Sequence, residues 1–277
     1  MLRKILLSLL AVVAVIVLLF GTVLGLAQTR LAKAQISGLV EDSLTSDGQS
    51  AEVDQLEGFL PFDVRLGRFQ LADDSGTWLE VDNARVKVSP TRLLAGEILV
   101  EEAGAERVAV HRTPVLPAQP EPPPSDEPFS LPAPPTLPES LPRATLERLH
   151  VGRIELGEAL IGEDAVFTLD GSATTGPDGR NAQARLDVAR IDQETAALGL
   201  GADLDLAAKT VGLELNATET GGLMAAITGQ PDAGNLDLDL TGSGPLDNWQ
   251  AELRLAVQRL VTANADLALA YAENPSL

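Results

Sequence analysis

The sequence contains no cysteine, which excludes disulfide scaffolds, thiol nucleophiles, iron–sulfur clusters and cysteine-ligated zinc. Aromatic residues make up only 3% of the 277 residues, so the apolar surface is built from leucine, valine, isoleucine and alanine. Basic residues are scarce as well: 20 lysines and arginines stand against 40 acidic residues, and the net charge is −20. Because no basic stripe remains to neutralise phosphates, we expect no nucleic acid partner.

The first part of the chain is a long hydrophobic run between basic residues. Residues 5–27 carry no charge, and a helix of this length spans about 35 Å, enough to cross a bilayer. Arg3 and Lys4 precede the run and no acidic residue occurs before Lys33, so the positive-inside rule places the N-terminus in the cytoplasm and the bulk outside it. We predict a single-pass anchor over residues 1–29. A cleaved signal peptide is the alternative, because residues 25–27 (GLA) fit a cleavage site.

The predicted anchor is followed by a short amphipathic segment. The anchor residues include Ile5, Leu10, Val15, Phe20 and Leu26. Helical spacing then continues over residues 30–50 through Ile36, Leu39, Val40 and Leu44. We interpret this juxtamembrane helix as a cap on the sheet that follows.

From Ala51 onward the hydrophobic period changes to two. Leu236, Leu238 and Leu240 alternate with Asp237 and Asp239, and many other segments repeat the pattern. This alternation is typical of antiparallel sheets that are covered on one face only. Short helical turns are predicted over residues 90–95 and 220–228.

A proline-rich segment divides the predicted strands. Twelve of the eighteen prolines fall within residues 114–142, a density that no packed element tolerates. We therefore predict a first β segment over residues 51–113, an extended loop or linker over 114–142, and further β repeats over 143–277.

Two hexapeptides indicate an internal repeat. Residues 66–71 (LGRFQL) recur as residues 151–156 (VGRIEL), and in both copies the apolar phase slips by one residue at Gly-Arg. A bulge at the same place in both strands is the simplest explanation. Repeats of this kind favour an elongated structure in which similar strands are added to one sheet.

Catalysis is poorly supported by the sequence. His111 and His150 continue the polar sides of predicted strands, and no nucleophile, phosphate-loop or metalloprotease motif occurs. Two pairs of aspartates have the composition of calcium ligands, Asp237 with Asp239 and Asp203 with Asp205. Their position on the solvent-exposed face of a strand explains them fully. We expect neither enzyme activity, nor a metal site, nor a cofactor.

Several segments, in order, resemble the N-terminal part of the TamB family. The segments are residues 58–61 (GFLP), 64–69 (VRLGRF), 74–79 (DSGTWL), 86–90 (VKVSP), 93–98 (LLAGEI) and 108–114 (VAVHRTP). Members of this family are the inner-membrane subunits of the translocation and assembly module, within the AsmA-like group, and resemble the bridge-like lipid transfer proteins. The resemblance covers essentially the whole chain.

The resemblance implies a mainly β protein of the bacterial inner membrane and periplasm. Its N-terminal transmembrane helix would be followed by an elongated, curled antiparallel β-sheet, a β-taco groove, with short covering helices. Family members are associated with phospholipid passage to the outer membrane and with the assembly of outer-membrane proteins and autotransporters alongside TamA. They are several times longer, so we expect a fragment here, and the TamA contact belongs to a C-terminal region absent from this chain.

The alternation then assigns the residues that would line such a groove and contact phospholipid. They are Val64, Leu66, Phe69, Leu71, Val86, Val88, Leu186, Val188, Leu204, Leu206, Leu213, Leu215, Leu236, Leu238, Leu240, Leu253, Leu255 and Val257.

Three interpretations of the β region remain open. A lipid conduit needs an apolar face that is open to acyl chains. An assembly factor would instead receive unfolded outer-membrane strands by β-augmentation, for which backbone hydrogen bonds matter more than the lining. A plain β-sandwich with a closed core would serve as a scaffold.

Overall fold

The alternating segments form long strands. The computed structural model describes residue 45 and residues 48–115, 138–192, 195–220, 222, 234–245, 247–258 and 261–270. The strands are β1 (Gln49–Phe59), β2 (Asp63–Asp73), β3 (Gly76–Val88), β4 (Ile98–Val110), β5 (Ala144–Leu156), β6 (Ala165–Thr175), β7 (Asn181–Arg190), β8 (Ala196–Asp205), β9 (Thr210–Glu219), β10 (Leu236–Pro245), β11 (Asn248–Val257) and β12 (Val261–Ala270). Two short helices are α1 (Pro90–Leu94) and α2 (Glu158–Ile161).

The strands form one open sheet whose order follows the sequence from β1 to β12. The protein is thus mainly β, with few helices. The prediction of an antiparallel sheet is wrong at one place, because β4 and β5 pair in parallel, with Ile98 opposite Ala144 and Val110 opposite Leu156. A parallel pair needs a long connection that returns the chain to the end where the first strand began, and residues 111–143 make that connection.

The two ends of the strands can be named after the helices. At the α1 end, α1 joins β3 to β4; at the α2 end, α2 joins β5 to β6. The helical turn predicted over residues 90–95 is confirmed as α1, in which Pro90 occupies the first turn after the N-cap Ser89.

Some predictions fall outside the described residues. These are the anchor over residues 1–29, most of the amphipathic helix over 30–50, the proline-rich residues 116–137 and most of the helix over 220–228. In the part of the chain that the structure describes, no helix combines the length and the apolar character needed to cross a membrane.

The described strands make a single layer. Every extensive contact between strands joins neighbours in the sheet. The most buried apolar residues are mainly small, such as Ala109 and Ala165, and no large side chain of the described residues is fully buried. The alternative of a closed β-sandwich requires two packed sheets, and the described strands form one.

A row of residues interrupts the alternation across five neighbouring strands. This phase-slip row consists of Gln55, Gly67, Asn83, Glu106 and Gly152, which lie between registered pairs on β1 to β5. On β5 the slip is a bulge, because two residues between Val151 and Ile154 oppose a single residue of β6. The bulge predicted at Gly-Arg is therefore confirmed on β5, whereas on β2 the residues around Gly67 oppose their neighbours one for one and the register shift with β3 lies between Leu71 and Ala72.

The backbone angles and side chains of its residues permit the phase-slip row. Gln55 and Asn83 adopt positive φ angles of 58° and 51°, and the Asn83 Nδ2 donates a hydrogen bond to Glu106 Oε2 at 2.6 Å. Gly67 has no side chain because a Cβ there would lie 2.8 Å from the Cβ of Gln55. After the row, Phe69 points to the same side of the sheet as Leu66.

One arginine joins three strands around the parallel pair. Arg107 on β4 contacts Glu80 and Asp82 of β3 at 3.2 and 2.9 Å and Glu155 of β5 at 2.6 Å. The hydrogen bond from Arg107, with a second from Arg153, lowers the pKa of Glu155 from 4.5 to about 2. The same contacts raise the pKa of Arg107. This network lies on the polar face and stabilises the parallel junction.

We expect Gly104→Ala to destabilise the β4–β5 junction. A Cβ at Gly104 would lie 1.8 Å from the backbone oxygen of His150, so one strand must move, and overpacking of this kind costs about 1–3 kcal/mol. The matched control is Gly201→Ala, whose Cβ would lie 3.7 Å from Glu214, at ordinary contact distance. Urea unfolding followed by circular dichroism measures both. Equal free energies of unfolding for the two variants would contradict the close approach.

We expect Arg107→Gln to weaken the acid dependence of stability. The folded-state pKa of Glu155 lies below its unfolded value, so its ion pair stabilises the fold above about pH 4.5, and this stabilisation is lost as the pH falls toward 2. The variant should be less stable than the natural chain at pH 7, and the difference should shrink near pH 2.5. Arg254→Gln is the control, because Arg254 and its partner Glu252 are both largely exposed. A difference that is the same at both pH values would mean that Arg107 acts by packing.

Candidate functional site

One face of the sheet is apolar on all twelve strands. Paired residues of neighbouring strands share a face, and side chains alternate along each strand. Leu238, for example, pairs with Ala217 on one side and with Leu255 on the other. We call this side the apolar face.

The apolar face contains all but one of the predicted lining residues. The registers place there Val64, Leu66, Phe69, Leu71, Val86, Val88, Leu186, Val188, Leu204, Leu213, Leu215, Leu236, Leu238, Leu240, Leu253, Leu255 and Val257.

Leu206 departs from this arrangement. Strand β8 ends at Asp205, and Leu206 lies in the turn before β9 with only 8% of its surface exposed. Its backbone N–H donates to the carbonyl of Arg180. The alternation of Leu204 and Leu206 therefore continues in the sequence beyond the end of the strand, and Leu206 is buried within the turn.

Central residues of the apolar face are missing from the predicted set. Leu146, Leu149, Val151 and Ile154 of β5 lie on it, because they pair with the regularly alternating strand β6. Successive members of this group are three, two and three residues apart rather than two throughout. The reason is that β5 has one bulge between Leu146 and Leu149 and another between Val151 and Ile154. A search of the sequence for strict alternation of apolar and polar residues therefore does not find these four residues. A search that allows the alternation to shift by one residue at Gly-Arg would have found Ile154.

A shallow depression lies on the apolar face near the α1 end. Its volume is about 540 Å³, within the range of about 300–1,000 Å³ that is usual for ligand pockets. Its floor is built from alanines on four neighbouring strands, among them Ala144, Ala173, Ala184 and Ala202, while Ile98 and Leu204 stand around it. Small side chains beside large ones create the depression.

The apolar face is accessible to solvent over most of the described strands. Most of its large side chains are half-buried rather than enclosed, Val257 is buried, and Leu198 and Val261 are exposed. Among the described residues, no helix or second sheet packs over it.

A single tryptophan covers part of this face. The indole of Trp249 on β11 lies over Gly242 on β10, where a Cβ would lie 2.0 Å from the ring. Its Nε1 donates to the carbonyl oxygen of Val211 on β9 at 3.1 Å. Trp249 therefore reaches across β10 to β9.

The opposite face is polar and carries the charges. Asp237, which follows Leu236 on β10, points to this face, and His150 pairs with Asp170 at 2.8 Å, both exposed. Hydrogen bonds from Arg85 and then Arg65 lower the pKa of Asp63 to about 2. At neutral pH this face stays charged and solvated, so the two faces differ sharply in their affinity for water.

Two buried charged residues, Arg190 and Glu219, stand at the α2 end of the apolar face. The side chain of Arg190 is only 3% exposed and donates to Asp192 at 2.6 Å and to Glu163 at 2.8 Å. Burial opposes the charged form, but these hydrogen bonds outweigh it and raise the pKa of Arg190. The apolar face thus ends in a paired, permanently charged group, which the sequence pattern did not single out.

One of the candidate metal ligands has a local structural role. Asp205 accepts hydrogen bonds from the backbone N–H groups of Ala207 and Ala208 and so closes the turn after β8. Within the described ranges, no three histidine or carboxylate side chains come together as a metal site would require.

The anchor residues Ile5, Leu10, Val15, Phe20 and Leu26 lie outside the described residues.

Neither a protein-family model, nor a curated protein, nor a solved structure matches this chain. The resemblance to the TamB family therefore stays a prediction, and the apolar face is the feature on which a function has to be built.

Proposed function

We propose that the apolar face binds the acyl chains of phospholipids. The protein would be held at the bacterial inner membrane by residues 5–27 and would carry lipid through the periplasm toward the outer membrane, supporting outer-membrane biogenesis. The observation that supports this most is an uncovered apolar face on twelve consecutive strands of the described chain.

The energetics of lipid transfer favour such a face. Shielding a sixteen-carbon chain from water is worth about 13 kcal/mol, at about 0.8 kcal/mol for each methylene. A lipid therefore does not leave a bilayer without a continuous apolar surface to receive it. The apolar face offers this surface, and a sheet that curls around its leucines would form the elongated groove implied by the TamB resemblance.

The chemical uniformity of the face suits movement rather than tight binding. In the described strands most of its side chains are leucine, valine, isoleucine and alanine, with aromatic rings at Phe69, Phe167 and Trp249 and charged groups at its α2 end, Arg190 and Glu219. Near-equivalent aliphatic positions give a lipid many sites of similar energy. The headgroup would lie in water at the edge of the face, and the chain would carry its ligand without converting it.

An assembly role is the second candidate, and the sheet edges favour it. In the described sheet, β1 pairs only with β2 and β12 only with β11. The β12 edge offers backbone groups to an added strand, which is the physical basis of β-augmentation. In that case the occupant would be an unfolded outer-membrane polypeptide delivered with a TamA-type partner.

Photo-crosslinking at two adjacent residues tests the lipid proposal. Leu238 and Asp237 are neighbours on β10 that point to opposite faces. A crosslinking amino acid at Leu238 should capture phospholipid, detected by mass spectrometry, and the same group at Asp237 should not. Equal capture at both positions would count against the proposal. Polypeptide adducts in place of lipid at Leu238 would favour the assembly role.

Two aspartate substitutions separate binding from folding. Leu238→Asp introduces a charge that water can reach, so we expect a folded protein with a stability loss of about 1 kcal/mol and much less co-purified phospholipid. Leu206→Asp places an unpaired charge in a buried turn and should cost several kcal/mol. Asp237→Asn, on the polar face, should retain the lipid. If Leu238→Asp unfolds as readily as Leu206→Asp, the apolar face is a closed core and no conduit.

A further inference from the structure

The connection between the parallel strands β4 and β5 has to cross the sheet on one of its two faces. Strand β4 ends at the α2 end with Val110, and β5 begins at the α1 end with Ala144. Residues 116–137 of the connection lie outside the described residues, whereas residues 111–115 and 138–143 are described. The hydrogen bonds of these described ends, the handedness of the crossing and the composition of residues 116–137 together indicate the face.

The end of the connection that follows β4 is held by a carboxylate on the apolar side of β2. The backbone N–H of Val115 donates to Asp73 at 2.7 Å, and Arg112 donates to the same carboxylate at 2.5 Å. Asp73 lies two residues beyond Leu71 in the regular register with β1, so its side chain points to the apolar side, where it is only 1% exposed. The chain that leaves β4 therefore turns toward the apolar side of the sheet.

The end of the connection that precedes β5 is held from the same side. The hydroxyl of Thr175 on β6 donates to the carbonyl oxygen of Pro142 at 2.8 Å. Thr175 pairs with Ala182, which pairs with Leu204, so its side chain belongs to the apolar face. Thr175 also lines the depression of about 540 Å³. The chain that leads into β5 therefore contacts the apolar side of the sheet beside this depression.

Chirality favours the same face. On a strand that runs upward, an L-residue whose side chain faces the observer points its N–H and C=O groups to the right. On the apolar face of β4, the N–H of Ile98 donates to Arg143 and the C=O of Val110 accepts from Gly157, so these groups point to β5. Seen from the apolar face with β4 upward, β5 therefore lies to the right. Connections between parallel strands are nearly always right-handed, and a right-handed one passes in front of the sheet here, over the apolar face.

The composition and length of the segment suit an apolar surface. Residues 128–137 carry no charge and include Phe129, Leu131, Ala133 and Leu137, which the charged polar face would not accommodate. Their proline content favours the polyproline II conformation, which has little freedom to lose on docking and is bound by apolar grooves. From residue 115 to residue 138 the chain reaches about 70 Å at about 3.1 Å per residue, and β4 is about 44 Å long. The segment can therefore lie along the whole face.

We infer that residues 116–137 cross the apolar face as a right-handed connection, with the uncharged residues 128–137 docked at the depression. The occupant of this part of the face is thus the chain itself. The path leads from β2 at the α2 end to β6 at the α1 end. The apolar face of β9 to β12 stays open to a ligand, so the inference is compatible with the proposed function and does not depend on it.

The absence of cysteine makes a direct test possible. Ala133→Cys is combined either with Ala184→Cys on the apolar face or with Ser172→Cys on the polar face. Ala184 and Ser172 are both exposed and lie at nearly the same height on neighbouring strands. The full-length chain, held in phosphatidylcholine nanodiscs so that detergent does not occupy the apolar face, is oxidised mildly, and peptide mass spectrometry follows the disulfide. We expect the apolar-face pair to form an intramolecular disulfide roughly tenfold faster or more, because docking raises the effective concentration of one thiol at the other.

Tether length favours neither pair. Leu141 is fixed at the α1 end by the hydrogen bond from its N–H to Gly179, and the chain from residue 133 to Leu141 reaches about 25 Å at about 3.1 Å per residue. Residue 133 can therefore reach either face around this end of the sheet. Equal rates for the two pairs, a faster polar-face pair or no disulfide in either would overturn the inference. A disulfide between two copies of the chain, seen as a dimer, would overturn it as well.

A further variant tests whether apolar contact holds the segment on the face. Phe129→Ser with Leu131→Ser, added to the apolar-face pair, removes two large apolar side chains and leaves the length of the connection unchanged. We expect the disulfide to form several-fold more slowly, at a rate closer to that of the polar-face pair. The circular dichroism spectrum should not change, because neither residue belongs to a described strand. An unchanged rate would mean that the segment does not dock through these side chains, and the inference would fail.

Discussion

Backbone hydrogen bonding between adjacent strands is the interaction on which the described structure depends. In a two-layer protein, burial of one layer against another supplies most of the stability. Here each strand packs extensively only against its neighbours, so the ladder of paired backbone groups and the side chains beside it hold the sheet. Long strands of ten to thirteen residues suit this arrangement, because each adds many paired groups. The side-chain bridge made by Arg107 strengthens the ladder where β4 and β5 run in parallel.

The same constraint explains the sharp difference between the two faces. A side chain on a single-layer sheet contacts the neighbouring side chains on its own face of the sheet. The rest of its surface faces solvent or a ligand. On the polar face, arginines and carboxylates satisfy one another and water. On the apolar face, leucines shield one another only in part, and the remaining apolar area is available to a ligand at a gain of about 25 cal/mol for each Å² covered. An open face of this kind suits acyl chains.

The phase-slip row shows how strands with an interrupted pattern still present one continuous face. Gln55, Gly67, Asn83, Glu106 and Gly152 slip together, so the apolar side stays apolar on both sides of the row. The sequence showed the slip only where Gly-Arg repeats, on β2 and β5. On β3 and β4 it is set by pairing with those strands, since a slip in one strand forces its hydrogen-bonded neighbours to follow.

The sequence by itself determined the β class, the membership of most of the apolar face and the short helix that begins at Ser89-Pro90, because these depend on local alternation and on the fixed φ of proline. Only the tertiary structure decided the parallel pairing of β4 with β5, the single layer and the position of Leu206 in a turn. These depend on which strands become neighbours and where each strand ends. Such contacts join residues far apart in the chain, and a pattern that repeats every two residues carries no information about them.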